Sequence, residues 1–568
     1  MTKKNILVSL ILILTLTAST VMAQKGKHSV EARNSEFMLD RKPFQIISGE
    51  MHPARIPVEY WQHRIQMAKA MGLNTISAGI FWNYHEIKEG EFDFTSENRN
   101  IIKFLETVQE EKIWLILKPG PETSAEWESG GIPPYLLRNR ELKLKSIDAG
   151  YTAAAERYVS KLSEQIKPFL ATNGGPILML QIEDNNDENY IKWLKDAWAK
   201  NDIDVPVLTG KEALITVPVF ITGQDGNKSI HWGGAWNKAD TARLVNEVKS
   251  LMDDNKSFNI YVVHGGTNFG YTAGACSGGN GYQPDITSYD FEAPVNEQGV
   301  PSGSYIALRK LLESYLPKGK KLEGIPKQIP AFEIPALSMQ PFTSLWDNLP
   351  QPVSSEFPMT FEDYGQDYGY ILYKTELKGE KTGKLVVTDV HDFATVFLDG
   401  QYVGTLNRIE GINSIDLPAS QAEVAVLEIL VEAMGRIAPE GSADRKGITE
   451  KVTLNGTGLT SWKIYNLPMD WKFIYGLRST GKNLKKPGIF FKGNFSLIDR
   501  SDTFFDISGY TKGVVWINGH NLGRFWNAGP QKRLYCPASW IKAGMNEIII
   551  FDQVQTEARP FSSFATME

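Results

Sequence analysis

Pro176-Ile-Leu-Met-Leu-Gln-Ile182, followed by Glu183-Asp184-Asn185-Asn186-Asp187 and then by Glu188 to Ala199, is the stretch on which the fold turns. A short apolar run bounded by Gly175-Pro176 reads as a strand buried on both faces, and the dozen residues after the acidic turn carry a helical repeat. A strand of that kind belongs in a parallel sheet covered by helices. Working outward, the alternation persists. Strands are expected at Phe44 to Met51, Thr75 to Phe81, Trp114 to Lys118, Val205 to Leu208, Pro218 to Thr222 and Phe258 to Val263. Helices are expected at Tyr60 to Met71, Asn98 to Glu111, Ala153 to Leu170, Ala239 to Met252 and Ile306 to Tyr315. The series predicts a (β/α)8 TIM-like barrel, with its site at the C-terminal ends of the strands. Seven strands are clear. Either Lys211 to Thr216 holds a degenerate eighth, or one β/α unit has been shortened.

Beyond the barrel, Pro317, Pro326, Pro330, Pro335, Pro341, Pro350 and Pro352 interrupt regular structure, since each ring removes a backbone donor. The apolar period then falls to two and helices vanish. Val396-Phe-Leu-Asp-Gly-Gln-Tyr-Val-Gly404 recurs as Val515-Trp-Ile-Asn-Gly-His-Asn-Leu-Gly523. In both copies Asp399-Gly400 or Asn518-Gly519 supplies the residues of a tight hairpin turn. Two related β-sandwiches are therefore expected. The domain plan is residues 1–23 as a signal peptide, 34–318 as the barrel, 319–355 as a Pro-rich linker, and 356–466 and 467–560 as the sandwiches.

The signal reading rests on Lys3 and Lys4, the apolar run Ile6 to Leu16 and Val21-Met22-Ala23, which predict cleavage before Gln24 and export to a periplasmic or extracellular location. No other run approaches a membrane span. The 568 residues carry a formal charge of −6 and two cysteines, Cys276 and Cys536. This excludes a disulfide-rich miniature fold, and the absence of a dense basic footprint argues against nucleic acid as a partner. Two free thiols are expected. No His pair has ligand spacing, so no metal or other cofactor is expected. The sequence carries no signal for an oligomeric state.

Glycoside cleavage in an exported barrel needs two carboxyl groups across the scissile bond, which directs attention to acids at strand ends. Glu126 beside Trp127 reads as a sugar hydrogen-bond acceptor beside a stacking face, or as a surface loop residue. The run Glu183 to Glu188 reads as catalytic, or as the acidic first turn of a helix capped by Asp187. Asp225, in Gly223-Gln-Asp-Gly226, reads as a catalyst or a turn former, and His264 as functional or structural.

The motifs Gly49-Glu-Met-His-Pro-Ala-Arg-Ile-Pro57, Phe81-Trp-Asn-Tyr-His-Glu86, Ala125-Glu-Trp127, Gly130-Gly-Ile-Pro133, His264-Gly-Gly-Thr-Asn-Phe-Gly270 and Thr287-Ser-Tyr-Asp-Phe-Glu-Ala-Pro294 closely resemble glycoside hydrolase family 35, the exo-acting β-galactosidases. The likeness runs from about Phe37 to Asp552 and implies jelly-roll, galactose-binding-like sandwiches and a terminal β-galactosyl or related saccharide as partner. Members are retaining glycosidases. By this resemblance the acid/base belongs at Asn185, the second Glu of a Gln-Ile-Glu-Asn-Glu-Tyr type motif, and the nucleophile at Gly223. The family's sugar-contacting Tyr after the second strand corresponds to Gly79, while Glu126 is retained. The resemblance implies sugar contacts at Ala125, Glu126, Trp127, Asn185, Trp232, Tyr261 and Tyr289. The segment between the two catalytic strands is about 40 to 50 residues shorter than usual.

Without nucleophile and acid, ordinary retaining hydrolysis is expected to be absent or weak. Three readings follow. Glu183, Asp184, Asp187 or Glu188, with Asp225, form a displaced and inverting pair. Alternatively, the chain is a saccharide-binding pseudoenzyme, or a scaffold kept for its surface.

Overall fold

The structure, a computed structural model, describes residues 26–33, 36–219, 230–236, 238–278, 281–290, 292–334, 336–439 and 443–567. The expected signal peptide lies outside the described residues, as do Gly223 and Asp225. Seven parallel strands form one sheet: β1 (Ile47–Glu50), β2 (Thr75–Gly79), β3 (Trp114–Lys118), β4 (Ile177–Ile182), β5 (Val207–Thr209), β6 (Ile215–Pro218) and β7 (Phe258–Tyr261). Their order is β5-β4-β3-β2-β1-β7-β6, every pairing is parallel, and no pairing joins β5 to β6 among the described residues.

The two edge strands are consecutive in the chain, separated only by Gly210 to Leu214. A parallel crossover with its helix needs a dozen residues or more, so the β/α unit expected between these strands has been removed. The stretch Lys211 to Thr216 does hold strand residues, because β6 begins at Ile215, but they are the start of the seventh strand and not an eighth.

Helices α1 (Trp61–Met71), α2 (Ile101–Glu110), α3 (Ala149–Ile166), α4 (Glu188–Lys200), α5 (Thr241–Asp253) and α6 (Gly303–Ser314) cover the sheet. Each turns apolar side chains inward, and Trp61, Phe104, Tyr158, Trp198, Val248 and Leu308 join the strand residues in one core. The caps are local: Asn100, Asp148, Asp187, Asp240 and Ser302 each accept a backbone N–H of their helix's first turn.

The first sandwich is built on a six-stranded antiparallel sheet and the second on a five-stranded one. Both repeat copies form the expected hairpins, Phe393–Leu398 with Gln401–Asn407 and Lys512–Ile517 with His520–Trp526, each with a bulge at the same place. Asp399, Gly400, Asn518 and Gly519 all have positive φ, as this two-residue turn requires. The Pro-rich segment is more regular than its prolines suggest. Gln340–Ser344 is an edge strand of the second sandwich and Val353–Ser355 of the first. Pro341 is tolerated there because it sits on an edge beside a bulge.

The two large sheets pack through Tyr370, Leu372, Leu430, Phe490, Trp516 and Phe551. Buried polar contacts weld them to the barrel. Tyr60 and Tyr535 both donate to Asp502, at 2.6 and 2.7 Å, and Thr287 Oγ1 donates to the Arg524 carbonyl at 2.7 Å. Gly523, with φ of +126°, passes so close to Thr287 that a β-carbon would lie 2.4 Å from its methyl. Arg436 of the first sandwich binds Glu128 of the barrel at 2.5 Å and Glu362 at 2.6 Å. Cys276 and Cys536 are not joined by a disulfide.

Two buried groups set the expected pH response. Burial opposes the charge on His391, but Asp389 and Asp444 outweigh it and push its pKa up to about 9. Burial, with Asp290 adding to it, pushes Glu297 up to about 8. Both hold a proton in the folded state that the unfolded chain releases earlier, so both stabilise below their unfolded values and lose that contribution as pH rises through the folded ones. Lys486, lowered to about 8 mainly by burial, acts in the opposite sense only above that pH. His52, His63, His85 and His264, all lowered by burial, act in the opposite sense until the unfolded chain has released its imidazole protons near neutral pH. The thermal midpoint is therefore expected to fall between about pH 7 and 8, and His391→Gln to flatten the slope. A scanning-fluorimetry midpoint that rises over this window would contradict the assignment.

Candidate active site

Polar side chains stand at the C-terminal ends of strands that are otherwise apolar. Glu50 closes β1, Gly79 closes β2, Lys118 closes β3, Glu183 follows β4, and Tyr261 closes β7. Lys118 Nζ donates to Glu50 Oε2 at 2.6 Å, and Asn259 Nδ2 donates to the same oxygen at 2.9 Å. Burial works against the Lys118 charge, but Glu50 and Glu183 outweigh it and hold the ammonium above its ordinary value. His52 is fully buried; burial first, then Arg55 and Lys118, hold it well below the usual imidazole range. It is therefore neutral. Its Nδ1 accepts from Gly79 N–H at 3.1 Å, which leaves the proton on Nε2, facing Glu50 Oε1 at 3.5 Å. A β-carbon at Gly79 would lie 2.9 Å from His52 Nδ1 and 3.0 Å from the Thr123 methyl, so this position sends no side chain into the site.

Glu126 is half-buried on the loop after β3 and is held from two sides. Tyr261 donates to its Oε2 at 2.7 Å, Tyr289 donates to the same oxygen, and the two phenols lie 2.6 Å apart. Burial and the adjacent carboxylate push both phenols well above their ordinary range, so both keep the proton they donate. Ala125 and Glu126 both have positive φ, with values of 66° and 49°. This conformation is costly for residues with side chains and is imposed by the surroundings: Arg55 Nη2 donates to the Ala125 carbonyl at 2.7 Å while its guanidinium lies 3.6 Å from the centre of the Tyr289 ring. Arg55 thus fixes both the loop that carries Glu126 and one of its partners.

The acidic run after β4 divides by position. Glu183 accepts from Ser124 N–H at 3.1 Å, and burial raises its pKa against the opposing pull of Lys118. Asp184 is exposed and accepts from Lys211 N–H at 3.1 Å, which ties β4 to the shortened link after β5. Asn185 has both ends of its amide engaged, donating to the Lys145 carbonyl at 3.1 Å and accepting from Asp187 N–H at 2.8 Å. Asp187 caps α4, accepting from Asn189 and Tyr190 N–H. His264 is structural, packed under Val295, with its pKa lowered by burial to about 3.

The stacking face expected at Trp127 and the sugar contact implied for Trp232 do not have exposed rings in the structure. Trp127 is 2% exposed, with its ring lying flat on Phe81 at 3.9 Å and its Nε1 donating to Asn83. Trp232 is 1% exposed within a cluster that includes Tyr282, Tyr289 and Trp526. Neither presents a free face, because each fills a junction between barrel loops and their neighbours. The carbonyl of Ala125 is likewise committed to Arg55. Glu50, His52, Lys118 and Asn259 had no expected role; their signal was a charged or amide side chain inside or ending an apolar strand. Among the described residues no group of three or more His, Cys, Asp or Glu side chains is placed to hold a metal ion, and no helix is long and apolar enough to cross a membrane.

A parallel barrel with carboxylates gathered at its strand ends, backed by β-sandwiches, is an architecture of glycoside hydrolases. Residues 36–212 and 188–315 match the model of glycosyl hydrolases family 35, residues 358–468 that of the β-galactosidase first all-beta domain, and residues 488–546 that of the β-galactosidase galactose-binding domain. The chain is 33% identical to a beta-galactosidase of Xanthomonas manihotis over 89% of its own length and 90% of that protein. It is 33% identical to human beta-galactosidase-1-like protein 2, over 96% and 93% of the two chains, and 31% identical to human beta-galactosidase, over 94% and 88%. The chain belongs to glycosyl hydrolases family 35, of β-galactosidase type.

Proposed function

We propose that this protein engages a terminal β-galactosyl unit, or a related glycosyl unit, at Glu126, and that ordinary retaining β-galactosidase activity is absent or weak. The observation that carries the reading is Asn185. At the position of the family's acid/base stands a side chain with no titratable proton, both ends of which are hydrogen-bonded, to the Lys145 carbonyl and to the Asp187 N–H. An unprotonated leaving group makes glycosidic cleavage slow, and glycine at position 223 removes the covalent intermediate as well. Glu126 keeps the features of a sugar acceptor: a half-exposed carboxylate, rigidly oriented by two phenols, in a site whose other acids are balanced by Lys118. The expected N-terminal signal supports export, where a free saccharide would be met.

Calorimetry with methyl β-galactoside is expected to show saturable binding that Glu126→Gln weakens by about 10- to 100-fold, the effect of losing a charge-assisted hydrogen bond. Equal affinity in the two proteins would overturn the assignment. A second reading is favoured by one feature, the carboxyl of Glu183, which burial raises in the direction a general acid needs. With Asp225 as base, Glu183 would act as the acid of an inverting pair. Without such a pair the protein is a saccharide-binding pseudoenzyme.

A further inference from the structure

A cavity of about 850 Å³ lies where the barrel loops and both sandwiches meet, with Trp127 in its wall. Its wall joins Tyr84 of the loop after β2, Tyr368 and Trp471 of the first sandwich and its following turn, and His520 and Trp540 of the second. Glu50, Glu126, Glu183 and Tyr261 are not among its lining residues. It is thus a separate place on the molecule, of a volume usual for ligand sites.

The chemistry of the wall is distinctive. His520 and Trp540 stack at 4.7 Å with 8° between their planes, and both are half-exposed. Tyr368 stacks on Tyr271 at 5.0 Å, presenting its outer face. Arg99 lies 4.4 Å over the Tyr84 ring and donates to the Tyr84 carbonyl at 2.6 Å, which holds that ring in place. On the rim, Trp471 opens the short helix Trp471–Tyr475, which Asp470 caps, and is 63% exposed. Large aromatic side chains left in water beside a cavity mark a contact surface. Flat, rigid aromatic faces set among polar groups match the alternation of C–H faces and hydroxyl edges along a pyranose chain. Six lining carboxylates stand against three cations, Lys88, Arg99 and Arg138, so the lining disfavours an anionic glycan.

We infer that this interdomain cleft is a second carbohydrate-binding site, taking a neutral oligosaccharide chain across Trp471 and the stacked His520–Trp540 pair. The site is independent of the Glu126 site and stands whether or not that site binds sugar. It needs all three domains, which gives the sandwiches a function besides buttressing the barrel.

The test uses the full chain titrated separately with mannotetraose, cellotetraose and xylotetraose, none of which carries the terminal galactosyl unit assigned to Glu126, followed by tryptophan fluorescence and calorimetry. At least one tetrasaccharide is expected to bind saturably with a change in emission. Trp471→Ala, which removes an exposed ring and no core packing, should weaken that binding at least about tenfold. Glu126→Gln should leave it unchanged. Failure of all three sugars to bind the unsubstituted protein overturns the proposal. So does binding that survives Trp471→Ala, or binding abolished by Glu126→Gln, which would move the site to the barrel mouth. Loss of methyl β-galactoside binding alone, with tetrasaccharide binding intact, would count against the Glu126 reading only.

Discussion

Arg436→Met is expected to destabilise the protein by about 3–5 kcal/mol, the cost of stranding buried charges. The guanidinium donates to Glu128 Oε1 at 2.5 Å, to Glu362 Oε1 at 2.6 Å and to the Asp367 carbonyl at 2.7 Å, and its backbone N–H donates to Glu128 Oε2 at 2.7 Å. Met fills similar volume but leaves two interior carboxyl groups without their cation. Burial already raises Glu128 against the pull of Arg436 and Lys446, so without Arg436 its pKa should rise further. The damage should reach the site, since Glu128 lies two residues beyond Glu126 on the same loop. Urea unfolding checks this against Lys161→Ala, whose exposed partner Glu164 makes a pair worth less than about 1 kcal/mol. Equal midpoints for the two variants would show that Arg436 does not bind the domains together.

On the proposal that Asn185 and Gly223 occupy the family's two catalytic positions, carboxylates placed there should restore the chemistry. Asn185→Glu with Gly223→Glu is expected to raise turnover of an aryl β-galactoside by at least about a hundredfold, since a positioned general acid alone contributes about 10²–10⁴-fold. Each single variant should gain far less, because the acid and nucleophile act on one bond in one step. Asn185→Glu also breaks the amide contacts to Lys145 and Asp187, so helix α4 should be monitored by its circular dichroism. A folded double variant with no gain would mean that these positions are not those of the family's pair.

The barrel was legible because its strands are short apolar runs between helical repeats, and Trp114–Lys118 begins and ends where its residues predict. Boundaries slipped where a neighbour decided them. Helix α3 begins at Ala149, four residues before the expected start, because Asp148 caps it. Strand β6 begins at Ile215, which is exposed on the sheet edge and lacks the apolar context of a central strand. The prolines near 341 were read as breakers, although an edge strand accepts them. In the site, Glu126, Tyr261 and Tyr289 were expected and are joined by hydrogen bonds. Trp127 was misread because a Trp beside an acid looks the same in sequence whether its ring is free or buried, and the sugar contact implied for Trp232 by resemblance meets a ring that is buried. The Glu50–Lys118 pair escaped notice because its members are 68 positions apart in the chain and meet only when the sheet curls.

The central claim, that the ordinary retaining reaction has been lost, is tested most directly by giving the purified mature protein 4-nitrophenyl β-galactoside and following the sugar by proton NMR beside an active family member. The account predicts no release, or slow release in which the first galactose formed is the α-anomer. Prompt release of the β-anomer would contradict it.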